Sequence, residues 1–217
     1  MIMNIPYKDY PNRAEWLEGR KNSLGASDIS IALGISSFKS PIDLWKEKTG
    51  RKKSRDISNN PNVKYGTEAE KHIRALFELK HQGEYEMAHF PYRIYTSSEH
   101  PFLSATLDGE LTRISDGEKG IYEVKTALIH RKADLEEWNG KIPQSYFCQI
   151  CQQFFVTKWT FAILNAELRF PDNSSEIREY FIERKDHEED ISYTASEGVQ
   201  FWQYVERDEE PPMRITL

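Results

Sequence analysis

Between residues 84 and 126 apolar and polar side chains alternate in three stretches, 85–95, 102–112 and 120–126, and an Asp116-Gly117 pair separates the last two. A period of two marks half-buried strands, and Asp-Gly supplies the positive φ of a tight hairpin. The region reads as a β-meander whose final hairpin turns at that pair. Glu123 and Lys125 then point to one face of their strand. If Asp116 and Gly117 are the central turn residues, Asp108 lies opposite Lys125 and diagonal to Glu123. If the loop is centred one residue earlier, Asp108 faces Glu123 directly. The two registers differ by an even shift, so the three side chains share a face in both.

Helices flank this β region. Asn12 with Glu15 resembles a capping box and opens a segment ending near Asn22. Ser27 or Asp28 opens a short helix stopped at Gly34, and Ser40 with Pro41 opens another stopped at Gly50. Residues 51–62 read as a polar connection. Residues 64–82 form a helix with Ala69, Ile73, Leu76 and Phe77 in one stripe. A helix over 143–157 gathers Tyr146, Phe147, Ile150, Cys151, Phe154 and Phe155. Strands follow at 159–168 and 177–184, and a closing helix spans about 186–206. The expected class is α/β (α+β), a mixed sheet flanked by helices. One domain over 1–217 is the simplest division: a helical part at 1–50, a core at about 64–184 and the closing helix.

Composition narrows the function. The 29 Lys and Arg against 35 Asp and Glu give a net charge of -6, which argues against coating nucleic acid by bulk charge but leaves room for a local basic groove. The run from Lys46 to Arg55 holds six basic residues and one acid, suited to tracking a DNA strand or to plain solvation. The acidic residues of 187–190 read as helix surface. No apolar run reaches the roughly 20 residues that span a bilayer, the first residues lack signal-peptide character, and two cysteines make no disulfide framework. A cytosolic protein with no membrane association is expected.

Glu123-Val124-Lys125 alone reads as a cross-face ion pair. With Asp108 across the hairpin, two carboxylates converge, and a divalent cation relieves their repulsion. Hard oxygen ligands favour Mg²⁺, with Mn²⁺ also suitable, over Zn²⁺. A metal there would polarise a phosphoryl oxygen and activate water, with Lys125 orienting that water or neutralising charge. Phosphodiester hydrolysis is the natural reaction. Glu70, at the border of the apolar stripe on the 64–82 helix, suits a second metal or a water relay, while Glu68 projects farther out. Cys148 and Cys151 lack two further ligands at metal-site spacing, and the six histidines show no ligand spacing.

Five segments carry a resemblance: RAEWLEGRKNSLGASDISIALGISSFKSPIDLWKEKTG at 13–50, YGTEAEKHIRALFE at 65–78, HPFLSATLDGEL at 100–111, GIYEVKT at 120–126 and IPQSYFCQICQQFFVT at 142–157. In this order they resemble the lambda exonuclease and YqaJ-type viral recombinase family, part of the PD-(D/E)xK nuclease superfamily. Leu107 stands where the superfamily pattern has proline. The resemblance implies a restriction-endonuclease-like core. It also implies that Asp108, Glu123 and the main-chain carbonyl of Val124 bind Mg²⁺, that Lys125 is the catalytic lysine, and that Glu70 serves a second metal. Gln149, in a Y-x-x-Q unit, matches the family's active-site glutamine. Arg20 and Ser27, with Thr106, match a pocket for a terminal 5′-phosphate, for which a guanidinium fork and hydroxyls are chemically apt.

The implied activity is a Mg²⁺-dependent 5′-to-3′ exonuclease on double-stranded DNA in a bacterial or phage-infected cell, leaving 3′ single strands for recombination. A homo-oligomer, a trimeric ring in the family, and a single-strand annealing protein are the implied partners. Two alternatives stand beside it: an endonuclease on the same core, and a non-catalytic DNA-end or protein-binding module.

Overall fold

The structure is a computed structural model and describes residues 5–212. In chain order the elements are β1 (Tyr7–Asp9), α1 (Arg13–Lys21), β2 (Leu24–Gly25), α2 (Ile29–Ala32), α3 (Pro41–Lys48), α4 (Pro61–Lys80), β3 (Tyr85–Ala88), β4 (Arg93–Thr96), β5 (Leu103–Ala105), β6 (Gly109–Arg113), β7 (Lys119–Leu128), α5 (Lys132–Glu136), α6 (Gln144–Thr157), β8 (Phe161–Arg169), β9 (Ser175–Glu183) and α7 (Glu188–Arg207). They build two mixed sheets flanked by helices, ordered β1-β4-β5-β2 and β3-β6-β7-β8-β9.

The larger sheet is apolar on both faces. Tyr122, Val124, Phe161 and Ile163 pack with Ile73 and Phe77 of α4 on one side. The intervening residues, among them Ile121, Ala162, Leu164 and Ala166, join the α6, α7 and small-sheet side chains of the main core. Burying Ile73 and Phe77 contributes roughly 2–3 kcal/mol each and ties α4 to the sheet. Gly66 lets that helix approach β7, because a Cβ there would lie 3.1 Å from Thr126 Oγ1.

Two of the expected caps form, while Asp28 precedes α2 without a side-chain cap bond, its carboxylate turned to the Gly25 N–H and Lys48. Asn12 Oδ1 accepts from the Glu15 N–H at 3.0 Å, and Ser40 Oγ accepts from the Asp43 N–H at 3.1 Å ahead of Pro41. Four expectations require correction. The helix expected at 64–82 begins at Pro61, because Asn60 caps it and proline needs no N–H donor at the first position. The connection over 51–62 is correspondingly shorter. Stretches 85–95 and 102–112 each break into two strands. Pro91 interrupts the first, so β3 joins the large sheet while β4 joins the small one. The N-terminal part is not wholly helical, since β1 and β2 complete the small sheet. Leu76, assigned to the buried stripe, is 54% exposed; the sheet contact is narrower than the apolar stripe. α5 is a further element, too short to leave a periodic signal.

Candidate active site

The hairpin adopts the second of the two registers. Gly109 pairs with Tyr122 and Thr112 with Lys119, so Asp108 stands level with Glu123. The loop occupies 114–117: the Arg113 N–H donates to the Glu118 carbonyl at 2.9 Å, and Gly117 closes the turn at φ +76°.

β7 outruns its partner. β6 pairs with it only through Tyr122, while β8 accompanies it to Leu128. From Glu123 onward one edge of β7 therefore lies open, and the Asp108 carboxylate takes the first exposed donor, accepting from the Val124 N–H at 2.8 Å. In an extended strand N–H and C=O of one residue point to the same side, so the Val124 carbonyl faces this edge too. Asp108, Glu123, Val124 and Lys125 line an open cleft of about 310 Å³, with Asn62, Val63, Gly66, Thr67 and Glu70 of α4 forming the opposite wall.

Glu123 is nearly buried, and both its oxygens are held. Lys125 Nζ lies 2.6 Å from Oε1, Gln149 Nε2 donates to Oε1 at 2.5 Å, and Gln153 Nε2 donates to Oε2 at 2.7 Å. Gln149, singled out through the resemblance, thus contacts Glu123. Gln153 was not singled out there, although its place one turn from Gln149 is a usable signal. It also donates to the Thr106 carbonyl at 3.2 Å. On the far side, Arg74 Nη1 donates to the Asp108 carbonyl at 2.8 Å and to Glu70 Oε1 at 3.0 Å, and His89 Nδ1 lies 3.0 Å from the same carbonyl. Sequence patterns gave no hint of these two, because they act through main chain. Glu70 lines the cleft but is turned toward Arg74, and Glu68 pairs with Lys71 away from it.

The electrostatics follow from these neighbours. Removal from water and the charges of Glu123 and Glu70 push the Asp108 carboxyl well above its ordinary range, against Lys125 and the Val124 N–H. Burial favours loss of the Lys125 proton, but Glu123 and Asp108 outweigh it and keep the ammonium charged. The cleft is short of positive charge. Among the described residues no three His, Cys, Asp or Glu side chains form a ready metal cage. The donor set is instead two carboxylates and a main-chain carbonyl, all hard oxygens, and the crowded Asp108 is what a divalent cation relieves; these residues fit Mg²⁺.

Of the second expected group, Arg20 and Ser27 meet. Arg20 Nη2 donates to Ser27 Oγ at 2.6 Å, and its guanidinium lies 4.7 Å from the Trp16 ring. Around Gly25 these groups meet Asp28, which pairs with Lys48 at 2.8 Å. Thr106 lies two residues past the parallel register pair Gly25–Ser104, as Ser27 does, but its carbonyl accepts from Gln153 of the Glu123 cluster. Buried Gln152 ties the two strands, donating to the Leu24 and Ser104 carbonyls at 2.7 and 3.0 Å. In the basic run, Lys48, Arg51 and Lys52 pair with Asp28, Asp208 and Asp43. Cys148 and Cys151 are buried free thiols, pushed up to about 11 and about 12 by burial. No helix among the described residues is long and apolar enough to cross a membrane.

The fold resembles that of a solved alkaline exonuclease. The structure of LHK-Exo from Laribacter hongkongensis matches with a TM-score of 0.66 at 18% identity, covering 90% of this chain and 94% of that one. Its complex with dAMP matches at 0.64 and 15% identity, with the same coverage. The chain belongs to the YqaJ-like viral recombinase domain family, whose pattern matches residues 15–160. The protein YqaJ of Bacillus subtilis (strain 168) is 30% identical over 197 residues, 88% of this chain and 56% of that protein. A protein of Acanthamoeba polyphaga mimivirus is 26% identical over 165 residues, 73% of this chain and 29% of that protein. The chain thus spans about half or less of the length of these relatives.

Proposed function

We propose that this chain is a Mg²⁺-dependent exonuclease that digests double-stranded DNA from a 5′ end and leaves a 3′ single strand for recombination. One observation carries the reading: Asp108, Glu123 and Lys125 converge where β7 outruns β6, in an open cleft short of positive charge. Asp108, Glu123 and the Val124 carbonyl would hold the cation, with Glu70 on the facing wall for a second. A bound Mg²⁺ supplies Lewis acidity to a phosphoryl oxygen and to a water.

The chain's own residues do the rest. Gln149 and Gln153 fix the Glu123 oxygens, and Arg74 fixes the main chain of Asp108, so neither carboxylate has to reorganise as charge develops. The Lys125 ammonium offsets the negative charge that builds on phosphorus oxygens during attack. Arg20, with Ser27 beside it and Thr106 just past the strand that pairs with β2, grips the terminal 5′-phosphate and sets which end is cut. That pocket favours an exonuclease over an endonuclease on the same core. The resemblance supports a homo-oligomer, a ring of three, and an annealing protein that takes up the exposed strand.

Purified protein should digest linear duplex with Mg²⁺, leave closed circular duplex intact, and stop with chelator. Cutting of the circle would establish the endonuclease. Digestion unchanged by Lys125→Ala, in protein free of contaminating nuclease, would remove the mechanism.

A further inference from the structure

On the flank of α4 away from the catalytic cleft, a second cavity of about 330 Å³ opens between that helix and the strands β8 and β9. Its walls include Ala69, Ile73, Leu76 and Ile177, and the proposed nuclease chemistry uses none of them. Glu167 of β8 lines this cavity and is only 9% exposed. Its Oε1 accepts from the Tyr65 hydroxyl at 2.9 Å, and its Oε2 has no hydrogen-bond partner among the described residues. A resident cation, Arg169, does not answer it: the guanidinium lies 3.7 Å from the Tyr65 ring and reaches Asn62 Oδ1 at 3.4 Å. An acceptor buried without a donor is destabilising, more so when it belongs to a carboxylate.

Leu76 and Ile177 are exposed at the mouth, Leu79 stands one turn along α4 at 71% exposure, and Phe181 lies on the same face of β9 as Ile177. β9 is also the edge strand of the large sheet. Exposed apolar area of this kind marks a protein-interaction surface, and the Glu167 acceptor at its centre calls for a donor from the partner. A nucleic-acid backbone is disfavoured, because Glu167 and Glu68, the latter paired with Lys71, line the cavity with only His72 beside them.

We propose that this cavity is a docking well for a partner protein that inserts one arginine from an otherwise apolar segment, its guanidinium pairing with Glu167 and its neighbours covering Leu79 and Phe181. The probe is a leucine-rich peptide with one central arginine, and its control replaces that arginine by citrulline, which keeps the shape and removes the charge. In calorimetric titration of the whole protein, the arginine peptide should bind about tenfold tighter or more, the scale of one charge-assisted hydrogen bond. Glu167→Gln should erase that difference, and Leu79→Ser should weaken both peptides alike. Should Glu167→Gln fail to fold, the two peptides on the unaltered protein decide the matter alone. Equal affinity, or binding of neither, overturns the proposal. So does self-association of the chain that Leu79→Ser abolishes, or displacement of the arginine peptide by a short DNA duplex. The experiment reads binding without cleavage, so its failure leaves the nuclease reading untouched.

Discussion

Two aspartates, each partly withdrawn from water, meet opposite fates in this molecule. Asp108, at the open edge of β7, is pushed well above the ordinary carboxyl range, with removal from water first and Glu123 and Glu70 next. Asp28, beside Gly25, feels the same removal from water, but Lys48 and Arg20 outweigh it and hold the carboxyl below that range. Burial therefore does not distinguish them; the sign of the neighbouring charge does. One cluster sets three acids, Asp108, Glu123 and Glu70, against Lys125 and Arg74, which leaves it one positive charge short. The other has a lysine and an arginine around one acid, so it retains positive charge for an anion. The two sites are complementary in charge to a metal and to a phosphate.

The sharpest way to break this contrast is to neutralise both aspartates identically. Asp108→Asn should lower Mg²⁺-dependent digestion of linear duplex by about 10³-fold or more. The metal-free protein should nonetheless gain stability on the order of 1 kcal/mol at neutral pH, as is common where function maintains an unfavourable arrangement. Denaturant titration of the metal-free protein checks the second half. A variant both inactive and less stable would mean that Asp108 is structurally satisfied as it stands.

Asp28→Asn should move stability the other way. It leaves Lys48, only 9% exposed, without its carboxylate. The expected loss is about 2 kcal/mol, below that of a fully buried pair because Asp28 keeps 21% of its side-chain exposure. The same titration applied to this variant tests the claim, and no loss would show that the carbonyls of Ser23 and Arg20, which accept from Lys48 at 2.7 and 3.3 Å, suffice for it.

The two clusters differed in how readily the sequence disclosed them. Strand parity puts Asp108, Glu123 and Lys125 together in either register, because a period of two tolerates an even slip. Turn residues could not decide between the registers, since Gly117 closes either loop with the same positive φ. Arg20 and Ser27 came only through the resemblance: their meeting depends on a loop and a short parallel strand pair, which leave no periodic trace. Gln153, Arg74 and His89 are harder still, because their partners include main-chain carbonyls that any residue could supply. The split into two sheets escaped notice because alternation runs on through Pro91, where pairing changes partner.

Arg20→Ala probes the anion side directly. It should reduce digestion of 5′-phosphorylated ends about tenfold while altering 5′-hydroxyl ends little, the size expected for one bidentate charge-assisted contact. Rates on matched oligonucleotides differing only in the terminal phosphate give the answer. Equal losses on both substrates would detach Arg20 from end recognition, leaving its hydrogen bond to Ser27 as a brace between α1 and the loop after β2.

The smallest effect separates the aspartates by pH. A raised folded-state pKa means that folded protein keeps the Asp108 proton where the unfolded chain has already lost it. Stability from this source is fully present below the ordinary aspartate range and is lost as pH rises through the elevated value. Asp28 runs in reverse: its stabilisation is present above the ordinary range and is lost as pH falls through the depressed value. Above the ordinary aspartate range only Asp108 of the two still changes protonation, so metal-free protein should melt lower as pH rises through its elevated value, by about 2–4 °C for a chain of this size. Asp108→Asn should flatten that slope, and saturating Mg²⁺ should reverse it, since a cation binds the ionised carboxylate and not the protonated one. A slope that survives Asp108→Asn would belong to another group, and the charge deficit would have to be relocated away from the β7 edge.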